Sequence, residues 1–264
     1  MTKYSPETTR ITGIRHLTNS YCALRLGPFS RTGRCRPGQF LHLRLPHTEV
    51  YFRRAMSIAA AETDRAELEI IFKVFGRGTA ALAGYKRGDQ LDVLGPLGVP
   101  FKKPRKNEMA IMIGGGVGFP PLMFLAHSLV ADGFDPKAIH FYYGGRDSDE
   151  IVERNRFKKM GIRFSPVTDD GSFGQRGLVT DAVEADLVAN GTTRRRIYAC
   201  GPEAMLKAAD DLGTRYSVPG QLSLEAPMPC GYGVCLGCVV PLRVGGHARV
   251  CVEGPVFNIG EVLL

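Results

Sequence analysis

The chain has 264 residues, 44% of them hydrophobic, and a formal net charge of +8. That length allows two domains with a small appendage and a sizeable core, and the dispersed 32 glycines and 17 prolines indicate many turns and not disorder. The basic residues, the patch Arg194, Arg195 and Arg196 included, have no interleaved aromatic platform, so the charge points away from nucleic acid and toward phosphate-bearing cofactors or an acidic partner surface.

Residues 1–103 read as short strands: RITGIRHL, YCALRLG, QFLHLRLP, RRAMSIAA, LEIIFKVF and QLDVLG, each bounded by Gly, Pro or polar turns. Six such strands predict an antiparallel barrel, with one brief helix over Thr79–Tyr85. After the basic linker KKPRKNE the texture changes. The strand candidates MAIMI, AIHFYYGG, IRFSPVT and RIYACG alternate with the helix candidates PPLMFLAHSLVADG, DEIVERNRFKKM, TDAVEADLVAN and PEAMLKAADDLGTRY. That alternation predicts a parallel sheet covered on both faces over residues 104–219. Residues 220–264 form a cysteine-bearing tail too small for its own core, which a metal centre would organise. The expected class is therefore β plus α/β with a small C-terminal module.

The start, MTKYSPETTR, is polar and lacks the apolar run of an export signal, and the longest apolar runs are broken by Gly and Pro. No membrane span is expected. Seven cysteines, an odd number, then argue for a reducing, cytoplasmic setting and against a disulfide framework. Cys22 and Cys35 read as buried free thiols.

The other cysteines carry the chemistry. Cys230, Cys235, Cys238 and Cys251 are spaced C-x4-C-x2-C-x12-C, the plant-type ligand pattern of a [2Fe–2S] cluster. Gly231, Gly233 and Gly237 let the loop fold around a cluster, and Cys251 follows a hairpin turning at Gly245-Gly246. A zinc-bearing, non-enzymatic interaction module is the competing reading, although zinc sites more often show two paired knuckles. Between strand and helix, Gly114-Gly115-Gly116-Val117-Gly118 would let a pyrophosphate approach the backbone, yet Phe119 breaks the G-x-G-x-x-G fingerprint. The strand end at Cys200-Gly201-Pro202 falls at the sheet edge where ligands of open α/β sheets bind. In the barrel, Arg54 could pair with a diphosphate that the N–H groups of Gly78 and Thr79 would cap.

Together these segments resemble the ferredoxin–NADP reductase superfamily. Within it they resemble the electron-transfer subunits of NAD-dependent (class 1B) dihydroorotate dehydrogenases, and the likeness covers nearly the whole chain. The family's R-P-x-S box reads Arg54, Ala55, Met56, Ser57, and its G-x-G-T box ends in Gly78 and Thr79. GGGVGFPPL, TDDGSFGQRGLVTD, CGPEAML and SLEAPMPCGYGVCLGC follow in family order. The resemblance implies that the first two boxes hold FAD in the barrel, with Ile71, Phe72 and Lys73 lining the flavin. It implies that Gly114, Gly115, Gly116, Gly118, Cys200, Gly201 and Pro202 serve NAD. It also implies a partner subunit that carries FMN and oxidises dihydroorotate in pyrimidine synthesis, in a heterotetramer of two catalytic and two electron-transfer subunits. Electrons would run from that FMN through the [2Fe–2S] cluster and FAD to NAD⁺. A hydrogenase or a ferredoxin-dependent transhydrogenase subunit would carry the same boxes.

No acid–base residue is assigned a catalytic role, because the cofactors carry the chemistry. Cys200 reads equally as a nicotinamide neighbour or a buried strand-end thiol, and Glu225 as a contact of the flavin or of the cluster loop. Arg146, at the end of the second strand, would tolerate a 2′-phosphate, so NAD over NADP rests on the resemblance. Ala55 stands in place of the family's proline, Ala226-Pro227 where many relatives are charged, and Pro229 removes one N–H donor beside the first ligand.

Overall fold

The computed structural model describes residues 5–189 and 194–264. The polar start at residues 1–4 and the expected helix end at Asn190 lie outside the described residues. Strands β1 (Glu7–His16), β2 (Tyr21–Gly27), β3 (Phe40–Arg44), β4 (Arg54–Glu62), β5 (Glu67–Lys73) and β6 (Gln90–Leu97) close an antiparallel barrel in the order β1-β2-β5-β4-β3-β6. Period-two alternation fills it: Leu24 and Leu26, Leu41 and Leu43, Leu68 and Ile70, Leu91 and Val93 share one core. The intervening Tyr21, Ala23 and Ile71 are buried too, because they pack outward against the second domain. This is why β2 and β5 read as nearly unbroken apolar runs. Helix α1 (Arg77–Ala83) starts two residues before the expected position, at a Gly76 cap where Thr79 Oγ1 accepts from the N–H groups of Phe75 and Gly76.

The second sheet takes β7 (Met109–Gly115), β8 (Ile139–Gly145), β9 (Arg163–Thr168), β10 (Gln175–Arg176), β11 (Arg195–Cys200) and β12 (Gly220–Ser223) in parallel, ordered β10-β9-β8-β7-β11-β12. Its helices are α2 (Phe119–Ala131), α3 (Arg154–Lys159), α4 (Val179–Ala189) and α5 (Glu203–Arg215). Strands β13 (Val239–Pro241) and β14 (His247–Arg249) form the cysteine-tail hairpin, and β15 (Val256–Asn258) pairs antiparallel with β12.

Three details differ from the sequence reading. No free loop separates β7 from α2: Gly114 and Gly115 belong to the strand, and Gly116–Gly118 is a single 3₁₀ turn. The expected helix over 149–160 contracts to Arg154–Lys159 because Asp147 Oδ1 accepts from the N–H groups of Asp149 and Glu150 and winds Ser148–Glu150 into a separate turn. The tail shares the core of the sheet: Cys238, Ala248, Val250 and Cys251 pack with Ile197, Leu222 and Phe257. Among the described residues no helix is long and apolar enough to cross a membrane.

Candidate functional site

Two cavities, of about 300 and 530 Å³, open between the barrel and the carboxyl edge of the sheet. Both volumes fall within the range of small-molecule sites. The first is lined by the β4 run Arg54, Ala55, Met56 and Ser57, by Ile71, Phe72 and Lys73 of β5, by Thr79 of α1, and by Cys200. Arg54 Nε is buried with no hydrogen-bond partner among the described residues. A Cβ on Gly78 would lie 2.7 Å from that atom, so the glycine leaves the guanidinium its place. A buried cationic donor without an acceptor suits a diphosphate, and the apolar Ile71, Phe72 and Val117 suit a flat ring system. These residues fit FAD.

The second cavity is lined by Gly115, Gly116, Gly118, Gly201 and Pro202, together with Lys73, Arg146, Asp169 and Leu178. A Cβ on Gly118 would meet the Cys200 carbonyl oxygen at 2.2 Å, and one on Gly115 would meet Met205 Sδ at 2.6 Å. Two backbone segments thus touch beneath a cleft at the helix start, where an anionic dinucleotide is held. Gly114 lies outside this lining: it is packed under Phe119 and Phe141. Cys200 lines the first cavity and not the second, and burial, with Glu225 nearby, pushes its thiol well above the ordinary range.

Lys73, Val117 and Glu225 line both cavities. Glu225 is exposed toward these cavities, yet the protein packed around its carboxyl raises it by desolvation above the usual range. Phe75 and Glu150 border the cavities without a sequence signal, and Val117 and Leu178 lie inside quoted boxes without being singled out, since a single apolar or acidic residue in a turn has no period to mark it.

The cysteines form two pairs. Cys238 and Cys251 are buried with their sulfurs 3.3 Å apart. Cys230 pairs with Cys235. Burial raises the Cys230 thiol, but the N–H groups of Cys235, Tyr232 and Val234 outweigh that and bring it down to about 6. Burial and the neighbouring Cys238 push Cys251 up to about 12. Among the described residues no three His, Cys, Asp or Glu side chains are grouped to hold one metal ion. Two sulfur pairs match a core of two irons with four thiolate ligands better than a single zinc. Pro229 does more than remove a donor: its ring packs on Gly237, where a Cβ would come within 3.1 Å of Pro229 Cδ.

The cluster loop docks on the barrel through His42, which the sequence did not mark. Its Nε2 lies 2.8 Å from the Met228 carbonyl, and a Cβ on Gly231 would meet its Nδ1 at 2.5 Å. Burial lowers this imidazole to about 4, so the neutral ring donates from Nε2. Met228 also lines the first cavity, two residues from Cys230. Dinucleotide cavity, flavin-type cavity and sulfur pairs therefore follow one another without a gap.

Comparisons with known proteins agree with this layout. Residues 14–101 match the family model of an oxidoreductase FAD-binding domain, 112–211 that of an oxidoreductase NAD-binding domain, and 225–263 that of the iron-sulfur cluster binding domain of dihydroorotate dehydrogenase B. The chain is 37% identical over 235 residues to the electron transfer subunit of dihydroorotate dehydrogenase B (NAD(+)) from Bacillus mycoides, covering 86% of this chain and 87% of that protein. It is 37% identical over 233 residues to the subunit of the same name from Streptococcus mutans, covering 86% of each. Among solved structures, the NADH-dependent reduced ferredoxin-NADP oxidoreductase, described for flavin-based electron bifurcation, superposes with a TM-score of 0.85 at 30% identity over 97% of this chain and 89% of that one. The ferredoxin reductase of carbazole 1,9a-dioxygenase, at 22% identity and a TM-score of 0.70 over 81% of this chain and 66% of that one, shares the fold.

Proposed function

We propose a function from one premise: the chain belongs to the family of electron transfer subunits of dihydroorotate dehydrogenase B. It is an oxidoreductase subunit that passes electrons between a catalytic partner and NAD in pyrimidine biosynthesis. The observation that carries this reading is the unbroken succession of sites, with Lys73, Val117 and Glu225 shared by two cavities and Met228 joining the first, flavin-type cavity to Cys230.

Residues 1–103 form the FAD-binding domain in this reading, 104–219 the NAD-binding domain, completed by strand β12 (Gly220–Ser223), and the remainder the cluster module. Arg54 and Ser57, with the backbone at Gly78 and Thr79, would hold FAD. Gly115, Gly116, Gly118, Gly201 and Pro202 would hold NAD. Cys230, Cys235, Cys238 and Cys251 would ligate the [2Fe–2S] cluster. FAD, when bound, supplies the exchange between two-electron transfer with nicotinamide and one-electron transfer with the cluster. The chain's own residues position and insulate: Val117 and Ile71 exclude water, the glycines admit the dinucleotide to the backbone, and the loop N–H groups stabilise sulfur charge. No side chain needs to act as acid or base on dihydroorotate, whose oxidation falls to an FMN-bearing partner, in an assembly of two subunits of each kind. An odd number of cysteines, four of them assigned to the cluster, supports a cytoplasmic setting.

The likeness to the ferredoxin-NADP oxidoreductase favours a second reading, as the NADH-linked subunit of a ferredoxin-dependent transhydrogenase. Mixing the cofactor-loaded chain with the dihydroorotate-oxidising subunit separates the two. Dihydroorotate-dependent reduction of NAD⁺ is expected. Its absence, with activity appearing only on reduced ferredoxin, would reject the first reading in favour of the second.

A further inference from the structure

The wall between the two cavities is organised by one buried carboxylate. Glu150 is only 7% exposed. Its Oε1 accepts from Lys73 Nζ at 2.5 Å, from Arg146 Nη2 at 2.7 Å and from Arg146 Nε at 2.9 Å. Its Oε2 accepts from the Arg146 backbone N–H at 3.2 Å. Lys73 comes from the barrel strand β5 and lines both cavities; Arg146 follows β8 of the sheet and lines the dinucleotide cavity. One acid thus gathers two cations from two domains. It can do so because Asp147 caps the turn at Ser148–Glu150 and prevents this segment from continuing as helix. Below the pair, the Tyr21 ring lies 5.6 Å from Lys73 Nζ, and its hydroxyl has no hydrogen-bond partner among the described residues. A lysine has a long, flexible stem and three rotatable donors, so its ammonium stays in place only if something holds it.

We propose that Glu150 is the positioning residue of the junction between flavin and nicotinamide, fixing the Lys73 ammonium in the wall common to both cavities and balancing its charge there. This rests on the assignment of the cavities to FAD and NAD. A reduced flavin is richer in electrons than an oxidised one, so a nearby unbalanced cation favours reduction and a nearby anion opposes it. The two side chains therefore act in opposite directions on the same equilibrium.

The test is a midpoint potential of bound FAD, measured by dye-equilibrated reductive titration of the purified holoprotein. Glu150→Gln keeps the size and removes the charge, and should shift the potential upward. Lys73→Met should shift it downward, and the double variant should return close to the parent. If the single variants leave the potential unchanged, or move it in the same direction, the proposal that Glu150 balances the fixed ammonium is overturned. A parent protein with no flavin absorbance would instead reject the assignment of the cavity. Should Glu150→Gln fail to fold, Glu150→Asp draws the charge one methylene away from Lys73; a smaller upward shift is expected, and no shift overturns the proposal.

Discussion

Gly118 is a glycine because of its neighbour and not its backbone angle. Its φ is −77°, open to any residue, yet a Cβ would lie 2.2 Å from the Cys200 carbonyl oxygen and 2.6 Å from the Cα of Gly201. Gly118→Ala must push the end of β11 off the 3₁₀ turn, an overpacking cost of about 1–3 kcal/mol. The flavin-type cavity does not include Gly118, although Cys200 at the displaced strand end lines it, so FAD content should fall less than NADH affinity. NADH affinity should fall about tenfold or more, since about 1.4 kcal/mol is one decade. The NADH concentration that gives half-maximal rate of flavin bleaching measures it, and the parental value would mean that the contact tolerates a methyl group. At this scale the sequence was partly legible. GGGVG announced a close approach, but only the fold separates Gly118, pressed on a carbonyl, from Gly114, pressed under Phe119 and Phe141. Glu150 is one acid among 26 Asp and Glu residues, and nothing local tells it from a solvated one.

The elements were more legible, for a physical reason. Strands such as β2 and β5 carry enough positions for an apolar run to stand out, and both lie where the residues predicted. Strands β12 and β15 have four and three residues, too few to show a period, and each is defined by a partner distant in sequence. The cysteine loop was legible through spacing, yet its division into two sulfur pairs was not. That division bears on ligand loss. Cys235 is the exposed member of its pair, and Cys235→Ser removes a soft ligand where iron–sulfur cores require thiolate. The variant should lack the EPR signal of a reduced cluster while retaining FAD that NADH bleaches at the parental rate, because no cavity residue changes. Delivery of electrons to the catalytic partner should fail. Normal delivery without a cluster would contradict the order of the relay.

At the scale of the molecule, the barrel and the sheet are joined by a shared core and by an ion network built on buried acids. Tyr21, Ala23, Ala59 and Ile71 on the outside of the barrel pack in one cluster with Phe119, Leu122, Met123 and Ala126 of α2. Alongside it, Arg15 of β1 meets Glu69 of β5 at 2.9 Å and Glu153, ahead of α3, at 2.6 Å, while Arg156 of α3 closes the chain on Glu69. Glu69 is 5% exposed, so its carboxylate is sustained by these two cations and not by water. The cysteine tail is held in turn by the bond from His42 to Met228 and by the core it shares with the sheet. Domains tied in this way should unfold together. Glu69→Gln leaves Arg156 without its acid, and should cost about 2 kcal/mol, less than a fully buried pair because both arginines reach solvent. For a chain of this size that corresponds to a fall in Tm of about 4 °C. Calorimetry of the FAD-loaded protein should show one transition in the parent and one, displaced downward, in the variant. A variant trace that splits, with the barrel melting apart from the sheet, would mean that the apolar seam alone does not couple the domains and that Glu69 is what holds them as a unit. Two transitions already present in the parent would show that neither does.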